Sequence, residues 1–185
     1  DYLRILRYVR FFLNYSKKDH DENLKKIIKR NINGISKISS DRLIDELKKL
    51  FLSSGFLKLS KDKFCQEIIS LIFPQLIKMS IFQNINDHSK KIIEQKDFIF
   101  LISLMIIDNT DNSEYFIYKY NISNEDKKRI RFLSNIYSKN LDKDLFKEKN
   151  LWKIFYFNGK NSLIDLINFQ IFQNKKLDKK LIQLK

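Results

Sequence analysis

Three glycines and one proline in 185 residues leave this chain little material for hairpins or tight β connections. Apolar residues make up 43% and charged residues 31%, enough for a substantial core in one domain or two small helical subdomains. That balance belongs to a globular protein, neither membrane-embedded nor disordered. The fold class that follows is all-α, a multi-helix array.

Start and stop signals divide the chain. A first helix is expected over residues 2–15. Asp19 or Asp21 caps a second through Arg30, with Asn33-Gly34 as its stop. Ser39 or Ser40 begins a third that runs to about Leu52 and breaks at Ser53-Ser54-Gly55, and Ser60 starts a fourth that closes before Pro74. Residues 84–89 read as a polar linker ahead of one long apolar helix over Ile92–Ile107. Ser123-Asn124-Glu125-Asp126 resembles a capping box and opens a basic helix with Lys127, Lys128, Arg129 and Arg131. Two further segments, 142–157 and 160–175, flank a turn at Asn158-Gly159, and Trp152, Phe155 and Tyr156 read as packing stripes.

Charge is written almost entirely as lysine: seven arginines stand against 29 lysines, and three of the seven fall in the first eleven residues. An arginine in such a chain points to a use for its planar donor fork. At 100° per residue, Asp1, Arg4 and Arg7 share an arc of roughly 120°, opposite Ile5, Leu6, Val9 and Leu13. Acceptors beside donors suit a base edge. The same spacing also makes an ordinary surface ion pair.

The run Asp1-x-x-Arg4-x-x-Arg7-x-x-Arg10-Phe11 resembles the segment that opens the neck of class II tRNA nucleotidyltransferases, the CCA-adding enzymes, and of the related bacterial poly(A) polymerases. Ile38-Ser39-Ser40-Asp41-Arg42-Leu43-Ile44-Asp45-Glu46-Leu47 resembles that family's second neck motif, Ile-Ser-x-Glu-Arg-Ile-x-x-Glu-Leu, at the family's spacing. The likeness holds over residues 1 to about 55 and then fades to general helical character. It implies that Asp1 and Arg4 pair with the base of the incoming CTP or ATP in place of a template strand. Arg7 falls near the nucleotide or braces the neck, and Arg42 and Glu46 buttress the first helix. It further implies a neck over 1–55, body helices over 56–110 and a tail over 111–185 whose basic helix (Lys127, Lys128, Arg129, Arg131) meets tRNA.

By the same resemblance the intact enzyme adds CCA to tRNA 3′ ends with Mg²⁺ held by an α/β head, so the chain reads as a piece of a longer protein that is inactive alone. No metal is expected on these residues. The rivals are a poly(A) polymerase relative, a non-catalytic helical RNA-binding module and a helical scaffold.

A net charge of +14 favours a polyanion such as RNA, although an A/T-rich codon bias accounts for part of the lysine excess. The lone Cys65 excludes an internal disulfide, reads as core and fits a reducing, cytoplasmic setting. Only His20 and His88 are present, too few for an HD-type metal site despite the His20-Asp21 dipeptide. The apolar run before Ile107 is about half a membrane span, so no membrane partner is expected.

Overall fold

The computed structural model describes residues 1–83, 85–138 and 143–173; Asn84, residue 142 and the end of the last expected helix at 174–175 lie outside the described residues. Every regular element among the described residues is helical. In chain order they are α1 (Leu3–Tyr15), α2 (Glu22–Asn31), a 3-10 helix (Ile32–Lys37), α3 (Ser40–Phe51), α4 (Phe56–Leu59) and α5 (Lys63–Ile72). A second 3-10 helix (Met79–Phe82), α6 (Asp87–Glu94), α7 (Phe98–Ile106), α8 (Asn112–Lys119), α9 (Asn124–Ser138), a third 3-10 helix (Lys143–Phe146) and α10 (Glu148–Gln173) follow.

Local chemistry sets these limits. α1 buries Leu3, Ile5, Leu6, Val9 and Leu13, one apolar stripe at helical spacing. Asp21 caps α2 by accepting from the Leu24 N–H at 2.8 Å. The chain then does not stop at Gly34 but tightens into the first 3-10 helix. Gly34 serves close approach instead: a Cβ there would lie 2.1 Å from the Tyr2 ring. The expected fourth helix is α5, which starts at Lys63 rather than Ser60, with the unexpected turn of α4 ahead of it. Asp62 accepts from the Cys65 N–H at 2.9 Å and caps α5, leaving α4 as a single turn before it.

The long apolar helix is broken. The linker gives way to α6, capped by Asn86 on the Ser89 N–H at 2.8 Å. Lys96 takes a left-handed φ of 53°, and Asp97 restarts the chain as α7 by accepting from the Phe100 N–H. α7 is buried at every position but the partly buried Ile99. Among the described residues no helix is long and apolar enough to cross a membrane. Ser123 caps α9 as its capping box foretells, its hydroxyl bonded to Asp126 Oδ2 at 2.8 Å while accepting from the Asp126 N–H. Gly159, at φ 81° and ψ 170°, divides α10 into two helical halves at the expected turn.

One apolar cluster runs from Leu3 to Phe172. Phe51 meets Phe56 at 4.6 Å and Phe98 at 5.7 Å, Phe56 meets Phe82 at 4.9 Å, and Phe172 reaches both Phe82 and Phe100. Each ring taken out of water contributes about 2 kcal/mol, so these contacts tie α3, α4, α7 and α10 together.

Candidate functional site

α1 packs on α3, and that contact decides which of its cations are available. Glu46 of α3 is 3% exposed and accepts from Arg7 Nε at 3.4 Å, Arg10 Nη2 at 3.3 Å and Lys49 Nζ at 3.0 Å. Burial alone would raise its carboxyl, but Lys49, Arg10 and Arg7 outweigh burial and hold it below the usual carboxylate range. Arg10 also lies 4.4 Å over the Phe11 ring. The bracing pair differs from the one expected. Arg42 is exposed and forms no hydrogen bond or ion pair among the described residues, so Glu46 is joined to α1 and to Lys49 of its own helix rather than to Arg42. The i,i+4 spacing makes an Arg42–Glu46 pair possible. Glu46, however, points into the interface, where α1 supplies two of its three cations.

Arg4 lies about one turn, and Asp1 about two, ahead of Arg7 in this brace. Both are exposed. Asp1 Oδ1 accepts from the Leu3 N–H at 3.1 Å and so opens α1, while no ion pair joins Asp1 to Arg4. The Arg4 guanidinium has no protein partner among the described residues. The edge thus runs from the exposed Asp1 carboxylate, bonded to the Leu3 N–H, and the unpaired Arg4 fork, through the half-exposed Arg7, to the locked Arg10.

A second polar node lies behind α1. Tyr8 Oη sits 2.6 Å from His20 Nδ1, and His20 Nε2 sits 3.0 Å from Asp62 Oδ2. The His20 ring stacks on Phe12 at 3.5 Å between centroids. Burial, with Cys65 and Asp62 adding, pushes the Tyr8 hydroxyl up to about 12. His20, Asp62 and Cys65 bring three metal-donor types within 4.8 Å. Burial, reinforced by Asp62, pushes the Cys65 thiol up, the opposite of what a nucleophile or a thiolate ligand needs. The Asp62 carboxylate is already shared between His20 and the cap of α5. The node reads as a hydrogen-bonded clasp of α1 to α5.

Two stretches of the chain have the Asp-x-Asp spacing of a metal-binding pair. Asp19-His20-Asp21 has that spacing, with Asp21 occupied as the α2 cap, and Asp142-Lys143-Asp144 also has it but extends outside the described residues. Neither follows a Gly-Ser dipeptide, which the sequence lacks.

The four basic residues of α9 separate into two kinds. Lys127 is half-buried and Lys128 exposed, neither in an ion pair among the described residues. Arg129 meets Asp97 with Nη1 at 3.0 Å and Nη2 at 2.6 Å, and Asp165 with Nη2 at 2.7 Å and with Nε. Burial would lower its pKa, but the two carboxylates drive it upward. Arg131 forms a two-toothed pair with Glu114 at 2.8 and 2.7 Å. Arg129 and Arg131 are therefore held by carboxylates, unlike Lys127 and Lys128. Asp97 and Asp165 were invisible as partners, because 32 and 36 residues separate them from Arg129.

The fold and this edge define a class first: an all-α module that presents an Asp–Arg pair beside a carboxylate-braced arginine ladder. A family model described as "Probable RNA and SrmB- binding site of polymerase A" matches residues 20–80. That match covers about a third of the chain, takes in α2 through α5, and supports a relationship to the poly(A) polymerase and CCA-adding enzymes. No curated protein matches the chain.

Proposed function

We propose that this chain is the nucleotide-selecting and RNA-binding helical portion of a tRNA nucleotidyltransferase that adds CCA to tRNA 3′ ends from CTP and ATP. The observation that carries the reading is the division of labour along α1. Glu46 holds Arg7 and Arg10 against α3, while Arg4 and Asp1 remain exposed about one and two turns away. A carboxylate and a guanidinium on one rigid edge offer acceptors and donors together, as a base edge requires. Arg7, with its Nε on Glu46 and a side chain 42% exposed, would set the height of that edge or touch the nucleotide itself. The family matched over residues 20–80 supports an RNA partner.

Phosphoryl transfer with Mg²⁺ needs paired carboxylates that hold the ions. The described residues do not fit that demand: Asp97 and Asp165 converge, but Arg129 closes them. The chemistry is assigned to an N-terminal head of the same polypeptide, and this portion alone is expected to be inactive. A poly(A) polymerase relative would use the same edge for ATP alone.

The test is Arg4→Ala in the polypeptide that carries both head and helical portion. Incorporation of CTP and ATP is expected to lose its preference over GTP and UTP, with metal dependence unchanged. Unaltered selectivity would contradict the assignment of Asp1 and Arg4.

A further inference from the structure

The first half of α10 exposes aromatic rings that its spacing had assigned to packing. Trp152 is 62% exposed, Phe155 42%, Tyr156 81% and Phe157 76%, while Leu151 turns inward at 8%. Trp152 meets Phe155 edge-on at 5.8 Å, and Tyr156 meets Phe157 edge-on at 5.1 Å. Four bare rings within six residues form an apolar patch of the kind that marks a binding surface. Lys149, Lys153 and Lys160 are exposed along the same stretch. On the helical wheel Lys149 and Lys153 fall together between Tyr156 and Phe157, so two cations sit inside the arc of the exposed rings. Glu148 is the one acid over residues 148–160.

The ridge ends at a cavity. Phe157 stands in the lining of a space of about 620 Å³ whose walls include Asp97, Lys128, Arg129, Asp165 and Asn168. Asn168 is 3% exposed, and its Oδ1 is buried without a hydrogen-bond partner among the described residues. A buried acceptor left unpaired is costly, and a ligand that brings an N–H donor relieves it. Glu125 and Asp126 add to the acidic lining, which turns phosphates away from the cavity and toward the lysines of the ridge.

We infer that this ridge is a stacking platform for single-stranded RNA, with one base bearing an exocyclic amino group inserted past Phe157 toward Asn168. Flat rings accept any base face, and interleaved lysines follow the phosphates. The acceptor-rich cavity then favours cytosine, whose amino group donates, over uracil, whose carbonyl at the same place does not. Exposed lysines beside the rings, with a single acid over residues 148–160, favour a polyanion over a protein partner. The inference rests on the RNA-binding reading, but concerns a surface outside both the α1 edge and the matched residues 20–80.

Trp152 is the sole tryptophan, so its emission reports this surface directly. The 185-residue chain is titrated with end-labelled oligo(C) and oligo(U), following label anisotropy and tryptophan emission together. Saturable quenching by oligo(C) at lower concentration than by oligo(U) is expected. Phe157→Ala and Lys153→Gln, both at exposed positions, should each raise the half-saturating concentration, the first by about tenfold. Anisotropy showing binding with no change in emission would overturn the platform while leaving the RNA-binding reading intact. Equal quenching by the two oligonucleotides would overturn the base in the cavity. Emission that follows chain concentration without RNA would assign the ridge to a second copy and overturn the proposal. No binding of either oligonucleotide would overturn the RNA-binding reading and the platform with it.

Discussion

Arg129 joins three places that the chain keeps far apart: the Asp97 cap of α7, α9 itself and the buried Asp165 of α10. A planar fork can bond both carboxylates at once, and an ammonium cannot. Arg129→Ala would leave Asp165, whose side chain is 6% exposed, as a buried carboxylate without its cation. The expected loss is about 3 kcal/mol, read from the urea midpoint, with Arg129→Lys recovering only part of it. A loss under about 1 kcal/mol would show that the fork is dispensable. None of this was legible in the sequence, where Arg129 is one of several cations in a run and Asp97 merely interrupts an apolar segment. The pairing is tertiary, and neither periodicity nor spacing carries it. Trp152, Phe155 and Tyr156 fail for a related reason. Helical spacing says that rings share a side, but what covers that side depends on the other helices.

At the scale of elements, the brace between α1 and α3 is both a stability device and a positioning one. Glu46 carries a depressed carboxyl pKa, so the sign is fixed. Its contribution is fully present above the unfolded value of about 4.3 and is lost as pH falls through the lower folded value. Glu46→Gln should therefore destabilise the chain by about 3 kcal/mol at neutral pH and flatten the acid limb of the stability curve below about pH 4.5. Equal acid slopes for the two chains, followed by ellipticity against urea, would contradict the brace. Element limits were far more legible than this contact. Asp21 and Ser123 act on their own next turn, and Gly159 breaks α10 at the expected turn, so short-range signals sufficed. The misreading came where an interior cap cut a continuous apolar pattern. Asp97 splits the long apolar segment by capping α7, and Asp62 caps α5 so that it starts just after the expected Ser60.

Across the whole molecule, one helical core presents two faces of different chemistry. The α1 edge offers Asp1 and Arg4, and the α10 ridge offers rings and lysines, while two of the seven arginines are spent on Asp97, Asp165 and Glu114. The all-α class was legible because scarce glycine and proline act everywhere in the chain at once. The distribution of the +14 charge was not, since it depends on which cations the fold pairs internally. The central claim is that the unpaired remainder serves RNA. It is tested most directly by measuring the affinity of the 185-residue chain for a tRNA lacking its terminal CCA across a salt series. The account predicts binding whose logarithm falls linearly with the logarithm of salt, at a slope of several released counterions. No binding at moderate salt, or an affinity indifferent to salt, would contradict it.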